Sequence, residues 1–131
     1  MSDEVEFYKA IKLAENFLIN KLRVKIFHPT LPGCYLEVDN LAQKGKTVFV
    51  FEGKSRNDGR AIRQLKDRNN SLILFNDFYI KICLVYNFNS IRLFYYSFKS
   101  QVISEFNING NKIFTTKFNN LKELALILRN L

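Results

Sequence analysis

Residues 34–55 read CYLEVDNLAQKGKTVFVFEGKS, and this stretch decides the fold. Two runs suited to β-strands flank Gly45-Lys46. A two-residue loop that begins with Gly favours a type II′ hairpin turn. Counting outward from this turn places Asp39 directly opposite Glu52 on the neighbouring strand. The hairpin therefore predicts two carboxylates side by side.

The same register places Glu37 opposite Lys54. Side chains alternate along a strand, so Lys54 is expected on the sheet face of the two carboxylates. The other face is expected to carry Val38, Asn40, Phe49, Phe51 and Gly53. Directly opposed like charges destabilise a sheet, which favours a cation between Asp39 and Glu52. The alternative is a cross-strand ion pair of Glu37 with Lys54 on a solvated face, with the two acids splayed apart.

An acid, a hairpin and then acid-x-Lys resemble the PD-(D/E)XK nuclease superfamily, here as Asp39, 12 intervening residues and Glu52-Gly53-Lys54. Val38 stands where many members have Pro. The resemblance implies that Asp39 and Glu52 are catalytic and bind the metal, with the Gly53 carbonyl as a further ligand. It implies that Lys54 acts on the attacking water. The implied cofactor is Mg²⁺, for which Mn²⁺ is expected to substitute.

Two helices extend this resemblance. In the superfamily an acid on the first helix often completes the metal shell, and Glu15 is the candidate; the alternative is a solvent-exposed residue at the edge of the helix. A helix over residues 60–69 follows the Glu-x-Lys strand, with Gln64 and Arg68 four residues apart. The resemblance implies that Gln64 hydrogen-bonds near the metal-bound water and that Arg68 contacts a phosphate.

The formal net charge is +8, and most of the excess surrounds this stretch. Residues 40–70 hold eight basic and three acidic side chains, a balance of eight minus three, or +5. Such a field beside acidic metal ligands fits a polyanionic substrate. The alternative is a solvated basic face without a partner. The residues expected to contact DNA phosphates are Lys44, Arg56, Arg60 and Arg68.

The remaining patterns predict an α/β (α+β) protein with one domain over residues 1–131. Helices are expected over residues 3–19, 60–69 and from Asn120 onward, with Glu123 at the capping-box position. Strands are expected over residues 21–27, 78–87, 91–98, 102–108 and 112–117, besides the hairpin. The order matches the α-β-β-β-α-β restriction-endonuclease-like core, a central mixed sheet flanked by helices, with an extra C-terminal hairpin and helix.

Several site classes are excluded by composition. Two cysteines are too few for a disulfide framework or a zinc site. His28 is the only histidine, which excludes sites that need several, and its neighbouring prolines favour a surface loop. No apolar run has membrane-spanning length, and the acidic N-terminus lacks the apolar core of a secretory signal. No membrane partner and a cytoplasmic location are therefore expected.

The resemblance, together with the basic surroundings of the motif, implies a Mg²⁺-dependent DNA endonuclease, and within the superfamily the sequence looks most like type II restriction enzymes. The resemblance also implies a homodimer, because double-strand cleavage usually needs two sites. One alternative is a Holliday junction resolvase or another structure-specific nuclease. A second is a nucleic-acid-binding module of the same fold without the chemistry. A third is a small RNA-binding protein that stacks bases on exposed aromatic residues such as Tyr95 and Tyr96.

Overall fold

The computed structural model describes residues 2–53, 71–107 and 111–131, with the backbone alone over residues 71–76. Three helices are described: α1 (Asp3–Ala14), α2 (Ser71–Tyr86) and α3 (Leu121–Arg129). Six strands are described: β1 (Asn20–Phe27), β2 (Tyr35–Lys44), β3 (Thr47–Gly53), β4 (Ser90–Ser97), β5 (Val102–Phe106) and β6 (Lys112–Lys117). The expected helix over residues 60–69, which carries Arg60, Gln64 and Arg68, lies outside the described residues, as do Lys54, Arg56 and residues 108–110.

The six strands form one sheet in the order in which they occur along the chain. Strands β3 and β4 are parallel, and every other neighbouring pair in this sheet is antiparallel. Parallel neighbours need a crossover over one face of the sheet, and α2 lies in that crossover. This mixed sheet flanked by helices confirms the expected α+β class.

The sheet separates two apolar cores. On one face, α1 and α3 pack against Ala42, Phe49 and Phe51 of the central hairpin. On the other face, α2 contributes Phe78 and Ile82 to a second core. We call these the α1 face and the α2 face. Because both faces of β3 are covered, Val48, Phe49, Val50 and Phe51 are all buried, as expected of a central strand.

The central hairpin has the expected register. Lys44 pairs with Thr47, and the register continues without a shift to Asn40 and Phe51. Gly45 has φ 59°, the left-handed backbone that a primed hairpin turn requires and that glycine adopts without strain. Local turn chemistry therefore sets this part of the sheet.

The strand expected over residues 78–87 is wrong, because this segment belongs to helix α2. Its sequence is apolar on all sides, and periodicity alone cannot separate a buried strand from a helix of this kind. Phe78 and Ile82, one helical turn apart, face the core, whereas Ile80 and Leu84 are exposed. The helix has 16 residues, and none of the described helices is long and apolar enough to cross a membrane.

The first helix is shorter than expected. It ends at Ala14, and Glu15 caps it in a left-handed conformation with φ 64°. Phe7, Ile11 and Ala14 are buried, but Leu18, inside the range expected to be helical, is 77% exposed. The chain leaves the helix because its next residues join the sheet: the Leu18 N–H donates to the Gln43 carbonyl at 2.8 Å.

The surface position expected for His28 is also wrong. Its side chain is 3% exposed, and its Nε2 lies 2.9 Å from Asp77 Oδ2 on α2. Its Nδ1 accepts the backbone N–H groups of Thr30 and Leu31 at 3.2 and 3.0 Å. Two donors on Nδ1 leave Nε2 as the protonated nitrogen that donates to Asp77. His28 thus ties the loop after β1 to α2, in a structural role.

The final helix begins as the sequence predicts. Asn120 Oδ1 accepts the N–H of Glu123 at 2.9 Å, which satisfies one of the free donors in the first turn. The Glu123 carboxylate in turn accepts the N–H of Asn119 at 3.2 Å. These two bonds fix the start of α3, whose Leu124 and Leu128 enter the core on the α1 face.

Replacing Asn120 with Ala should lower the free energy of unfolding by about 1 kcal/mol, because the cap is lost while the buried face of α3 is unchanged. Urea denaturation followed by circular dichroism measures this. Lys122→Ala, at an exposed residue of the same turn, is the control and should change stability by less than about 0.5 kcal/mol. Equal stabilities for the two variants would contradict the capping role.

Candidate functional site

The two carboxylates predicted from the hairpin lie together where β2 and β3 stop pairing. Backbone pairing ends at Asn40 and Phe51. One residue further, the Asp39 N–H donates to Glu52 Oε1 at 3.2 Å, and the Gly53 N–H donates to Asp39 Oδ2 at 2.9 Å. Side-chain oxygens thus replace backbone carbonyls as acceptors. Both carboxylates are half-buried, so each is anchored yet reaches the surface.

The alternation of side chains between the two faces of the sheet is interrupted in β2 at this position. Leu41 and Val38 both belong to the core on the α2 face, although they are three residues apart in a strand with a two-residue period. Asn40, between them, points to the α1 face, where it bonds to Tyr96. The expectation that Val38 and Asn40 share a face is therefore wrong. The alternation breaks at Asp39, which turns its backbone N–H toward Glu52.

Arg23 causes the matching break in β1. It would pair with Asp39 in the register of β1 and β2, yet it is the one residue from Asn20 to Phe27 that does not pair with β2. Its φ is 54°, a left-handed conformation that costs a residue with a Cβ roughly 1–2 kcal/mol. Such strain persists only where the surroundings enforce it, and it concentrates at functional sites.

The N-terminal end of α1 completes the acidic surroundings. Arg23 Nε and Nη2 donate to Glu4 Oε1 at 2.9 and 2.7 Å, and Nη2 also donates to Ser2 Oγ. The pKa of Glu4 is lowered, first by a hydrogen bond from its own backbone N–H and then by Arg23. Asp3 and Glu4 both act electrostatically on Tyr96, as do Asp39 and Glu52. All four acids therefore lie within electrostatic range of the Tyr96 hydroxyl.

The expected role of Glu15 is not supported by this arrangement. Glu15 is the exposed C-cap of α1, at the opposite end of the helix from Glu4. The two positions are separated by 11 residues, roughly 16 Å of helix. The α1 acids at the helix end nearest Asp39 and Glu52 are instead Asp3 and Glu4, and of these Glu4 is held in place by Arg23. The sequence does not indicate a role for acids in the first turn of α1, because acidic residues are common there as partners of the helix dipole.

Lys44 also lies away from the carboxylate pair. It stands at the turn end of β2, five residues from Asp39, and its Nζ donates to the Arg129 carbonyl at 2.9 Å. Burial, and then the nearby charge of Arg92, lower the pKa of Lys44. Lys44 thus satisfies a carbonyl at the end of α3, a common use of a lysine at a helix C-terminus.

Two residues of the site carry no motif. Asn40 and Tyr96 are both fully buried, and Tyr96 Oη donates to Asn40 Oδ1 at 2.8 Å. One indication for Asn40 was available in the sequence: it is a polar residue on a strand face that is otherwise predicted to be apolar. Tyr95 is buried as well, so neither aromatic residue is exposed in the way that the RNA-binding alternative requires.

Within residues 2–53, 71–107 and 111–131, no group of three or more His, Cys, Asp and Glu side chains is arranged to hold a metal ion. The candidate site is therefore a pair of carboxylates with two further acids nearby. Protein-family models, curated proteins and solved structures were compared with the chain, and none matched.

Gly53 is a sensitive position because Tyr96 covers it. A Cβ on Gly53 would lie 2.8 Å from Tyr96 Cε2 and 2.9 Å from Cζ. The buried ring has no room to retreat, since it stacks on Phe7 with centroids 3.9 Å apart. Gly53→Ala should therefore lower the free energy of unfolding by about 1–3 kcal/mol.

Urea denaturation of a double-mutant cycle measures this contact. The cost of Gly53→Ala should be smaller in a Tyr96→Leu background, where the ring is gone. An unchanged cost in that background would show that the ring does not cause it.

Proposed function

We propose that this protein is a metal-dependent phosphodiester hydrolase that cleaves DNA, with its site at Asp39 and Glu52. The observation that supports this most directly is the interlocking of two like-charged side chains through backbone N–H groups where β2 and β3 part. Two carboxylates held together repel each other unless a cation lies between them. Their place at the strand ends, next to the Gly53-Lys54 step, fits the resemblance of the sequence.

The residues present fit Mg²⁺ as the cofactor. This ion prefers oxygen ligands and is commonly held by one or two carboxylates, with water and phosphate oxygens in its other positions. Each ionised carboxylate has about four lone-pair sites, so one N–H donor does not exhaust its capacity. A bound Mg²⁺ supplies Lewis-acid polarisation of a phosphate oxygen and activation of water.

The chain's own groups would divide the remaining work. Asp39 and Glu52 hold the cofactor, and the Gly53 carbonyl is a further candidate ligand. Lys54 follows directly in sequence, and its proposed role is to orient the attacking water and donate to the developing negative charge. Gln64 is proposed to position the same water. These two roles rest on the resemblance.

The proposed DNA contacts are the basic residues that follow β3. Arg56, Arg60 and Arg68 would neutralise phosphates and make binding dependent on salt. Lys44 is left out of this set because it donates to the end of α3. A duplex cut on both strands needs two such sites, so a homodimer is proposed for restriction-type cleavage. The alternative is that the same site cleaves four-way DNA junctions, as a junction resolvase does.

Wild-type protein should nick or linearise supercoiled plasmid with Mg²⁺ or Mn²⁺, and chelator should abolish this. Asp39→Asn and Lys54→Ala should each lower the cleavage rate by at least about 100-fold, because positioned metal ligands and proton-transfer groups contribute factors of this size. Agarose gel electrophoresis measures the rate. Lys46→Ala is the matched control, since Lys46 is exposed in the hairpin turn and should retain full activity.

Cleavage by Lys54→Ala at the wild-type rate would contradict the assignment. If plasmid is resistant, four-way junctions and single strands are the next substrates. No cleavage of any of them, together with no Mn²⁺ binding, would favour the binding module without catalytic activity.

The two acids at opposite ends of α1 give a sharper test of the metal site. Glu4→Gln should raise the Mn²⁺ dissociation constant roughly two- to fivefold, the effect of one charge several ångströms away in water-like surroundings. Glu15→Gln should leave the constant unchanged. Electron paramagnetic resonance of free Mn²⁺ measures both. The reverse result would restore Glu15 as the metal-site acid of the first helix.

A further inference from the structure

Tyr96 connects the elements that carry the two carboxylates. It lies on β4 beside Gly53 of β3, and its ring stacks on Phe7 of α1 with an interplanar angle of 9°. The ring therefore packs directly under the residue that follows Glu52. Its contact with Gly53 is close enough that no other residue fits there without a shift.

The hydroxyl of Tyr96 reaches the other carboxylate through Asn40. Tyr96 Oη donates to Asn40 Oδ1 at 2.8 Å, and Asn40 Nδ2 donates to the Glu4 carbonyl at 3.0 Å. Asn40 is the residue after Asp39, and it is fully buried. This chain of two hydrogen bonds joins β4, β2 and the start of α1, and it fixes the residue on which Asp39 turns.

The donors and acceptors of these two hydrogen bonds are fixed by the groups that make them. Asn40 Oδ1 can only accept, so Tyr96 Oη is the donor, and the Asn40 amide nitrogen is left to donate to α1. Phenylalanine would fill the same space between Phe7 and Gly53, so packing alone does not require the hydroxyl.

We propose that Tyr96 is a positioning residue for the metal-binding carboxylates, acting on Asp39 through Asn40 and on Glu52 through Gly53. This inference rests on the proposed function. Groups that orient metal ligands without touching the metal typically change metal affinity by about 10- to 100-fold. Tyr96 is well placed for such an effect because one side chain braces both strands at the point where their pairing ends.

Tyr96→Phe tests this with the loss of a single oxygen. The variant keeps the ring, and its Mn²⁺ dissociation constant should rise about tenfold or more. Electron paramagnetic resonance of free Mn²⁺ measures affinity, and urea denaturation of the same samples confirms that both proteins are folded. A residue with a purely structural role would lower stability without changing the affinity of the folded protein.

Tyr79→Phe is the matched control, since it also removes one tyrosine hydroxyl. Tyr79 lies on α2 and packs against the core on the α2 face. Its hydroxyl bonds to the backbone of Ile91, which pairs with Val48 near the turn end of the central hairpin, away from Gly53. This variant should leave Mn²⁺ affinity unchanged. In an Asn40→Ala background, Tyr96→Phe should change the affinity by less than about twofold, because the hydrogen bond that transmits the effect is already absent.

The outcomes separate this inference from the function on which it rests. Wild-type protein that binds Mn²⁺, with unchanged affinity in Tyr96→Phe, would overturn the positioning role alone. An equal loss in Tyr79→Phe would also overturn it, because the effect would then be general. Wild-type protein that neither binds Mn²⁺ nor cleaves DNA would overturn the proposed function and this inference together.

Discussion

The two hydrogen bonds between Asp39 and the Glu52-Gly53 step are the constraint on which the rest of the candidate site depends. They hold two negative charges together where the central strands β2 and β3 stop pairing, and there electrostatic repulsion and access to water both favour separation. Backbone donors stabilise the charged form of a carboxylate. The strands therefore part without releasing the acids, and the pair stays half-buried.

Helix α1 connects the carboxylate pair to the remainder of the fold. Its N-terminal end meets the site through Glu4, which Arg23 holds from β1. Its C-terminal end is capped by Arg129 of α3, which donates to the Leu13 and Ala14 carbonyls. One helix thus spans from the carboxylate pair to the turn end of the central hairpin, where Lys44 meets the end of α3.

Local chemistry explains what the sequence could predict. The Gly45 turn sets the register, the register sets Asp39 beside Glu52, and Asn120 sets the start of α3. The failures have tertiary causes. An evenly apolar segment such as α2 has no periodicity that separates helix from strand, and the end of α1 depends on contacts of Leu18 with β2.

The residues that hold the two carboxylates in place were harder to predict from the sequence than the carboxylates themselves. In the sequence, Arg23 has the pattern of an ordinary outward-facing residue of an alternating strand. Its left-handed backbone follows only from its contacts in the folded protein, with Glu4 and with strand β2, which carries Asp39. Tyr96 reads as one apolar residue among many in β4. Its role requires the parallel pairing of β3 and β4, which no local pattern specifies.

This division has a consequence for how the protein folds. The carboxylate contacts join residues 13 and 14 positions apart, whereas the bond of Tyr96 to Asn40 closes a loop of 56 positions. Contacts distant in sequence form late, because the entropy of closing the loop must be lost first. The hairpin can therefore bring its two acids together early, while the brace beneath them waits for β4. Chain that has reached only Gly53 would carry the acids without the brace, and a competent geometry would appear only once β4 has joined the sheet.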